Sequence, residues 1–425
     1  MKALVIAEKP SVAMALASVL GARTRKDGYV EGNGYIVSWC VGHLVGLCDA
    51  SEYDEKYKKW RYEDLPIVPE CWKHKILEGT KKQFGILKKL MRDSKVDEVI
   101  CATDAGREGE LIFRLVYEQA GCKKPMKRLW ISSMEEQAIK DGFASLKDGS
   151  CYDSLYQSAL CRAKADWLVG INASRLFSVL YNQNLKVGRV QTPTLAMIVD
   201  RNQKIKEFTK EKYYMAHIKF DDMDAVTEHF QKKEDADKVA AECQERMCEV
   251  EKDDVKEKTV RPPKLYDLTT LQREANRMFG YTAQQTLDAV QEMYEQKLVT
   301  YPRTDSQYLT DEMGESTETL IQMLLGKMPY AEGLEYHPDV SKVLNSKKVS
   351  DHHAIIPTME VAKADIGELK ERSRKILYLI SARVLTATAD PYIYESHKCQ
   401  ITCNYHTFYL NAKKTKQEGF KTIEK

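Results

Sequence analysis

The chain carries one short pattern twice, and this repetition limits its possible folds more than any other feature. Residues 3–8 (Ala-Leu-Val-Ile-Ala-Glu) form an apolar run ending on Glu8. Lys9 follows, and Pro10 and Ser11 open a helix with Val12, Leu16, Val19 and Leu20 on one side. Proline suits the first helical position. Residues 96–104 repeat the arrangement: an apolar run ending on Asp104, a loop (Ala-Gly-Arg-Glu-Gly-Glu at 105–110) and a helix over 111–119. Such units predict parallel strands in an open α/β sheet, where ligands bind at the carboxyl ends of the strands. If the two strands are neighbours, Glu8 meets Asp104, Glu108 and Glu110 at one edge. Clustered carboxylates repel one another and need a cation, a proton or solvent. Hard oxygen ligands of this kind suit Mg²⁺. The plainer alternative is that the acids favour the positive end of a helix dipole.

The second chemical stretch is Leu-Val-Thr-Tyr-Pro-Arg-Thr-Asp-Ser at 298–306. Pro302 biases Tyr301 towards an extended or turn conformation. Two helices, 268–279 and 283–296, with Thr282 as N-cap, deliver the chain to it. Tyr301 offers a hydroxyl, and Arg303 a planar fork that matches phosphate. A half-buried tyrosine at a helix end is the structural alternative. Between 35 and 41 lies a short β stretch, then Gly-His-Leu at 42–44. Residues 53–70, including Trp60, read as an ordered lobe. Residues 151–206 read as helical, with Arg162, Trp167 and Arg175 interleaved among apolar positions. Lys186, Val187, Gly188, Arg189, Val190 and Gln191 precede a helix that runs to about 206. Backbone and side-chain donors at such a helix start can hold phosphate. Trp167 could stack a base or sit in a core. Residues 213–220 alternate like a strand, 234–247 read as a charged helix, and 252–263 as a charged linker. Asp351, His352 and His353 begin a further cluster, which can bind phosphate or lie on the surface. A helix over about 366–389 follows, then alternating β residues from 392 and a Lys-rich tail.

Length and composition narrow the function. At 425 residues the chain should divide into two to four domains. Net charge is only +2, but 156–212 holds ten Lys/Arg against four Asp/Glu, a basic surplus that suits a polyanion. No segment reaches the roughly 18 apolar residues of a membrane span, and the N-terminus lacks the form of a signal peptide. Eleven cysteines, without zinc spacing or a disulfide framework, predict reduced thiols and a cytoplasmic setting. No Gly-rich P-loop is present.

Five stretches in order carry a resemblance: Ala-Leu-Val-Ile-Ala-Glu-Lys-Pro-Ser at 3–11, Ala-Thr-Asp-Ala-Gly-Arg-Glu-Gly-Glu at 102–110, Val-Gly-Arg-Val-Gln-Thr-Pro at 187–193, Thr-Tyr-Pro-Arg-Thr-Asp-Ser at 300–306, and His-His-Ala-Ile-Ile-Pro-Thr at 352–358. Together they resemble the type IA DNA topoisomerases, most of all the topoisomerase III branch, over residues 1–425. The resemblance implies a multidomain α/β, α and β fold: a TOPRIM domain (1–150), the first part of a helical single-strand DNA-binding domain (151–212), an arch β segment (213–263), a helical domain with the catalytic tyrosine (264–390), and an incomplete arch segment (391–425). It implies Tyr301 as nucleophile forming a 5′-phosphotyrosine, with Lys9 and Arg303 steadying the phosphate, Glu8 as general acid and His352 nearby. DNA contacts would come from Trp60, Arg162, Trp167, Arg175, the 186–191 stretch and Arg303. Mg²⁺ would sit at Glu8 and Asp104. The family's second aspartate is Gly106 here, so either Glu108 substitutes as a ligand or the site holds a single weakly bound metal. The reaction needs no ATP, because one phosphodiester is exchanged for another. The expected substrates are single-stranded and negatively supercoiled DNA, acted on by a monomer beside a helicase partner and away from membranes. Family members continue past a segment like 419–424, so the chain reads as a fragment or a shortened relative. A truncated strand-binding protein, one that cleaves without strand passage, and a TOPRIM nuclease are the alternatives.

Overall fold

The computed structural model describes residues 2–132, 134–333, 336–349 and 352–423; Asp351 and Glu424, named in the motifs above, lie outside the described residues. The chain begins with β1 (Lys2–Ala7) and α1 (Pro10–Leu20), followed by β2 (Thr24–Lys26), β3 (Tyr29–Gly32) and β4 (Tyr35–Trp39). A two-stranded ribbon, β5 (Val45–Leu47) with β6 (His74–Ile76), brackets the lobe, which is built from short 3-10 turns. Then come α2 (Lys81–Arg92), β7 (Val96–Ala102), α3 (Arg107–Ala120), β8 (Met126–Arg128), α4 (Glu136–Ala144) and β9 (Lys147–Asp148). Seven of these strands form one sheet in the order β2-β3-β4-β1-β7-β8-β9. The two repeated units are adjacent and parallel, with Ala7 opposite Ala102. Glu8 and the loop carrying Asp104 therefore leave the sheet side by side.

Helices cover both faces. Val12, Ala13 and Leu16 of α1 pack on one, and Phe84 and Leu87 of α2 with Phe113 and Val116 of α3 on the other. Charged groups lie within this core. Arg128, fully buried, donates to the carbonyls of Cys101 (3.1 Å), Thr103 (2.8 Å) and Asp104 (2.7 Å). Glu110, equally buried, pairs with Arg128 (3.0 Å) and Arg114 (2.8 Å). The guanidinium thus fixes the backbone that presents Asp104, while the carboxylate balances its charge. Gly109 completes the constraint: a Cβ there would lie 2.1 Å from the Asp104 carbonyl oxygen.

The helical part starts with α5 (Asp153–Tyr181) and α6 (Gln191–Lys206). Next come β10 (His217–Phe220), β11 (Met223–Val226), α7 (Lys233–Cys243) and β12 (Cys248–Val260). The expected linker over 252–263 is largely strand: β12 pairs residue by residue with β13 (Tyr392–Cys403). The Lys-rich tail is strand too, β14 (His406–Gln417). A five-stranded sheet in the order β10-β11-β14-β13-β12 results, with α7 against it. Between its two halves in sequence lie α8 (Leu268–Phe279), α9 (Ala283–Glu295), α10 (Gly314–Lys327) and α11 (Glu371–Thr388). Thr282 caps α9 in a reciprocal capping box with Gln285. The expected helix over 366–389 begins later, because 366–368 form a separate 3-10 turn.

Replacing Glu110 by Ala strands the Arg128 guanidinium in the core. The expected loss is about 3–5 kcal/mol, read as a lower urea midpoint; unchanged stability would show that the pair is not what fixes the loop. Gly109→Ala should cost about 1–3 kcal/mol through overpacking and displace Asp104.

Candidate active site

Tyr301 reaches the sheet edge from the other half of the chain. After α9, residues 298–300 pair with 354–358: Thr300 N–H donates to Ile356 O (3.0 Å), and Thr358 N–H to Leu298 O (3.0 Å). This ladder is why Tyr301 and His352 meet, with ring centroids 4.3 Å apart. It also docks on the first domain. Tyr301 N–H donates to Ser132 O (3.3 Å), and His352 Nδ1 lies 3.2 Å from Ser132 Oγ. The two halves share one apolar cluster that runs from Val5 and Leu16 to Tyr294, Leu298 and Ile355.

The Tyr301 hydroxyl donates to Asp104 Oδ2 at 2.9 Å, across 197 residues of sequence. Asp104 N–H in turn donates to Glu8 Oε2 at 3.3 Å. Burial, together with neighbouring Asp104, pushes Glu8 up to about 7. Burial likewise raises Asp104. Burial and the Asp104 carboxylate push the Tyr301 phenol up, with Arg303 opposing. Lys9, the N-cap of α1, also offsets the acids' negative charge. Gly106 caps α3, so two helix N-termini bring partial positive charge to this edge. A 190 Å³ cleft opens here, lined by Glu8, Asp104, Gly106, Glu108, Arg162, Tyr301, Arg303 and His352. Burial, reinforced by His353, pushes His352 down to about 4, so its ring is neutral.

The four acids expected at this edge take different places. Glu8 and Asp104 form the inner pair. Glu108 sits on the rim, exposed, with Oε1 2.5 Å from His43 Nε2, and that imidazole holds its carboxyl below the usual range. Glu110 points into the core, as its arginine partners require. Among the described residues no group of three or more His, Cys, Asp or Glu is already arranged around one point as a metal site. The inner pair nonetheless fits a divalent cation. Burial raises both carboxyls, a cost that a cation between them would offset, and Glu108 is within the same cleft.

The expected DNA contacts also divide. Arg162 projects from α5 into the cleft, and Lys186, Arg189, Val190 and Gln191 are exposed. Arg189 pairs with Asp166 at 2.5 Å. Val187 and Gly188 lie along α5, where Ser174 Oγ accepts from Val187 N–H (2.9 Å). Trp167 and Arg175 are used internally. Trp167 donates to Cys48 O (2.9 Å) and meets Tyr53 and Trp72 edge-on. Arg175 is buried with its guanidinium 5.3 Å from the Trp60 ring centroid. Together with Asn172, which clasps Ile67 through both backbone groups, they fasten the lobe to α5. Arg128, Ser132, His43 and Gly109 were not singled out from sequence.

Three comparisons bear on this geometry. The family model described as DNA topoisomerase matches residues 150–425, and that of the Toprim domain, a family of divalent-metal binders, matches 3–134. The DNA topoisomerase 3 of Staphylococcus haemolyticus is 40% identical over 433 residues, covering 100% of this chain and 60% of that protein. The DNA topoisomerase 3 of Bacillus cereus is 42% identical over 443 residues, covering 99% and 59%. The chain thus spans about 60% of the length of these curated relatives. In fold it is similar to full-length topoisomerase I from Thermotoga maritima, with a TM-score of 0.73 and 24% identity, covering 99% of this chain and 67% of that one. With a tyrosine hydroxyl set on a Toprim carboxylate, and family models matching on both sides of that contact, the chain belongs to the type IA DNA topoisomerases.

Proposed function

We propose that this chain cuts one strand of DNA through Tyr301 and reseals it, letting another strand pass, without ATP. The observation that carries this reading is the 2.9 Å hydrogen bond from Tyr301 to Asp104 Oδ2. A phenol with an ordinary pKa of about 10 is a weak nucleophile at neutral pH. Here its proton already points at an acceptor. As the phenolic oxygen forms its bond to phosphorus, that proton passes to Asp104. The bond from phosphorus to the 3′ oxygen breaks, and Glu8, which holds a proton near neutrality, donates it to the leaving oxygen. Resealing runs the same transfers backwards. Arg303 and Arg162 line the cleft with positive charge and Lys9 adds its own beside the acids, which suits the phosphate in both directions. Glu8, Asp104 and Glu108 would hold Mg²⁺, Glu108 turning away from His43. When bound, the ion supplies charge that steadies the scissile phosphate. Single-stranded DNA would reach the cleft past Arg162, Lys186, Arg189 and Gln191. The setting this reading implies is cytoplasmic, with a monomer acting on negatively supercoiled DNA opened by a helicase.

Tyr301→Phe removes one hydroxyl from a packed ring and should leave the fold intact. SDS-trapped adduct with single-stranded DNA is expected to fall by at least about 10⁴-fold; an undiminished adduct would show the nucleophile to be another residue. Irreversible nicking by that variant would instead make the site a nuclease. Glu8→Gln should slow cleavage by about 10²–10⁴-fold, measured under single turnover. Relaxation of negatively supercoiled plasmid should stop in EDTA and return with excess Mg²⁺; activity unchanged by EDTA would remove the divalent ion from the mechanism.

A further inference from the structure

A cleft of 470 Å³ lies where the long ribbon meets the helical domain, and it shares no lining residue with the 190 Å³ cleavage cleft. Its walls come from two sides. Pro262, Pro263 and Pro391 stand at the roots of β12 and β13, while Tyr308, Val343 and Ala387 belong to the helical domain. Prolines bring no N–H to the wall, and Val343 and Ala387 are buried apolar side chains. A cavity of this size between two structural units, walled mainly by apolar and aromatic groups with a few polar ones, is the form that small-ligand sites take.

The charge around it has one sign. Arg261, Lys264 and Lys342 line the cleft, and no acidic residue does. Lys342 has two acidic neighbours, Asp339 at 3.6 Å and Asp390 at 3.7 Å. Among the described residues, Arg261 and Lys264 have no carboxylate partner. Lys264 Nζ instead stands 5.3 Å from the Tyr308 ring centroid, and Lys348 Nζ approaches the same ring at 4.8 Å. Lys348 also donates to Tyr308 Oη at 3.4 Å. The two ammonium groups steady the ring, but they repel each other, and an anion placed between Arg261 and Lys264 would relieve that repulsion.

We infer that this cleft binds one free nucleotide, a flat ring carrying a phosphate. The ring would lie between Tyr308 and the proline wall. The phosphate would meet Arg261, whose planar fork suits its oxygens, and Lys264. The volume takes a single small ligand and no length of strand, so the occupant differs from the DNA that is cut. The site stands apart from the cleavage chemistry, and its test needs neither DNA cleavage nor metal.

Deoxyadenosine 5′-monophosphate is titrated into the purified 425-residue chain by isothermal calorimetry, and hydrogen exchange locates it. One equivalent should bind, and exchange should slow in the peptides carrying Lys264 and Val343. Deoxyadenosine and inorganic phosphate, each offering part of the ligand, should bind at least ~10-fold more weakly. The variant Arg261→Glu/Lys264→Glu, changed at two exposed positions, should weaken the nucleotide by at least ~10-fold at an unchanged melting temperature. Arg303→Ala, in the cleavage cleft, should leave that affinity as it is. Absence of binding, or equal binding by the double variant, would overturn the proposal. So would loss of binding in Arg303→Ala, which would put the nucleotide in the cleavage cleft. Protection of the two peptides by oligodeoxyadenylate and not by the mononucleotide would overturn it as well, by making the occupant a strand.

Discussion

The structure depends on placing two negative groups in contact without neutralising them. Parallel pairing of β1 with β7 puts Glu8 beside Asp104, and burial then makes both reluctant to ionise. In an ordinary core that repulsion would be relieved by movement. Here the backbone cannot move, because Arg128 grips the carbonyls at 101, 103 and 104 and Gly109 lies against the last of them. The edge is therefore held short of positive charge. Lys9, Arg303, two helix termini and the Tyr301 proton each supply part of it. Reactivity at the site is the residue of an electrostatic demand that the fold creates and does not satisfy on its own.

The same demand links the two halves of the chain. Tyr301 crosses from the helical half to bond with Asp104, while Ser132 accepts from the Tyr301 amide through its carbonyl and meets the His352 ring through its hydroxyl. Around these polar contacts runs a shared apolar cluster. The junction thus combines a large nonspecific adhesion with a few directional bonds that set its register.

Much of this was legible in the sequence where local pattern and chemistry agree. The strand–acid–helix units, the paired helices before Tyr301 and the Thr282 cap all stand as the residues suggest, since each is fixed by neighbours a few positions away. Elsewhere the pattern misled for physical reasons. Strand β12 is charged on both faces and lies at a sheet edge, so it shows no apolar alternation and reads as a linker. Glu108 and Glu110 look equivalent in sequence, but two residues along a helix is more than half a turn, and only the second faces the arginines. The internal partners of Trp167 and Arg175, namely Cys48, Tyr53, Trp72 and Trp60, are not visible in the sequence because they lie about a hundred residues away. His43 and Ser132 were invisible for the same reason: their importance lies entirely in what the topology brings to them.

The five-stranded sheet has a mechanical consequence. β12 and β13 run side by side for a dozen residues, a span of about 40 Å at strand rise. Both strands are rooted in the helical half, β12 through Pro262 and Pro263 and β13 through Pro391, where Lys342 donates to Ala389 O at 3.0 Å. Prolines at a root remove the torsional freedom by which a ribbon would otherwise swivel. The ribbon then behaves as a cantilever: a small tilt at its base becomes a large sweep at its tip, and load applied at the tip returns as torque on the tyrosine's own domain.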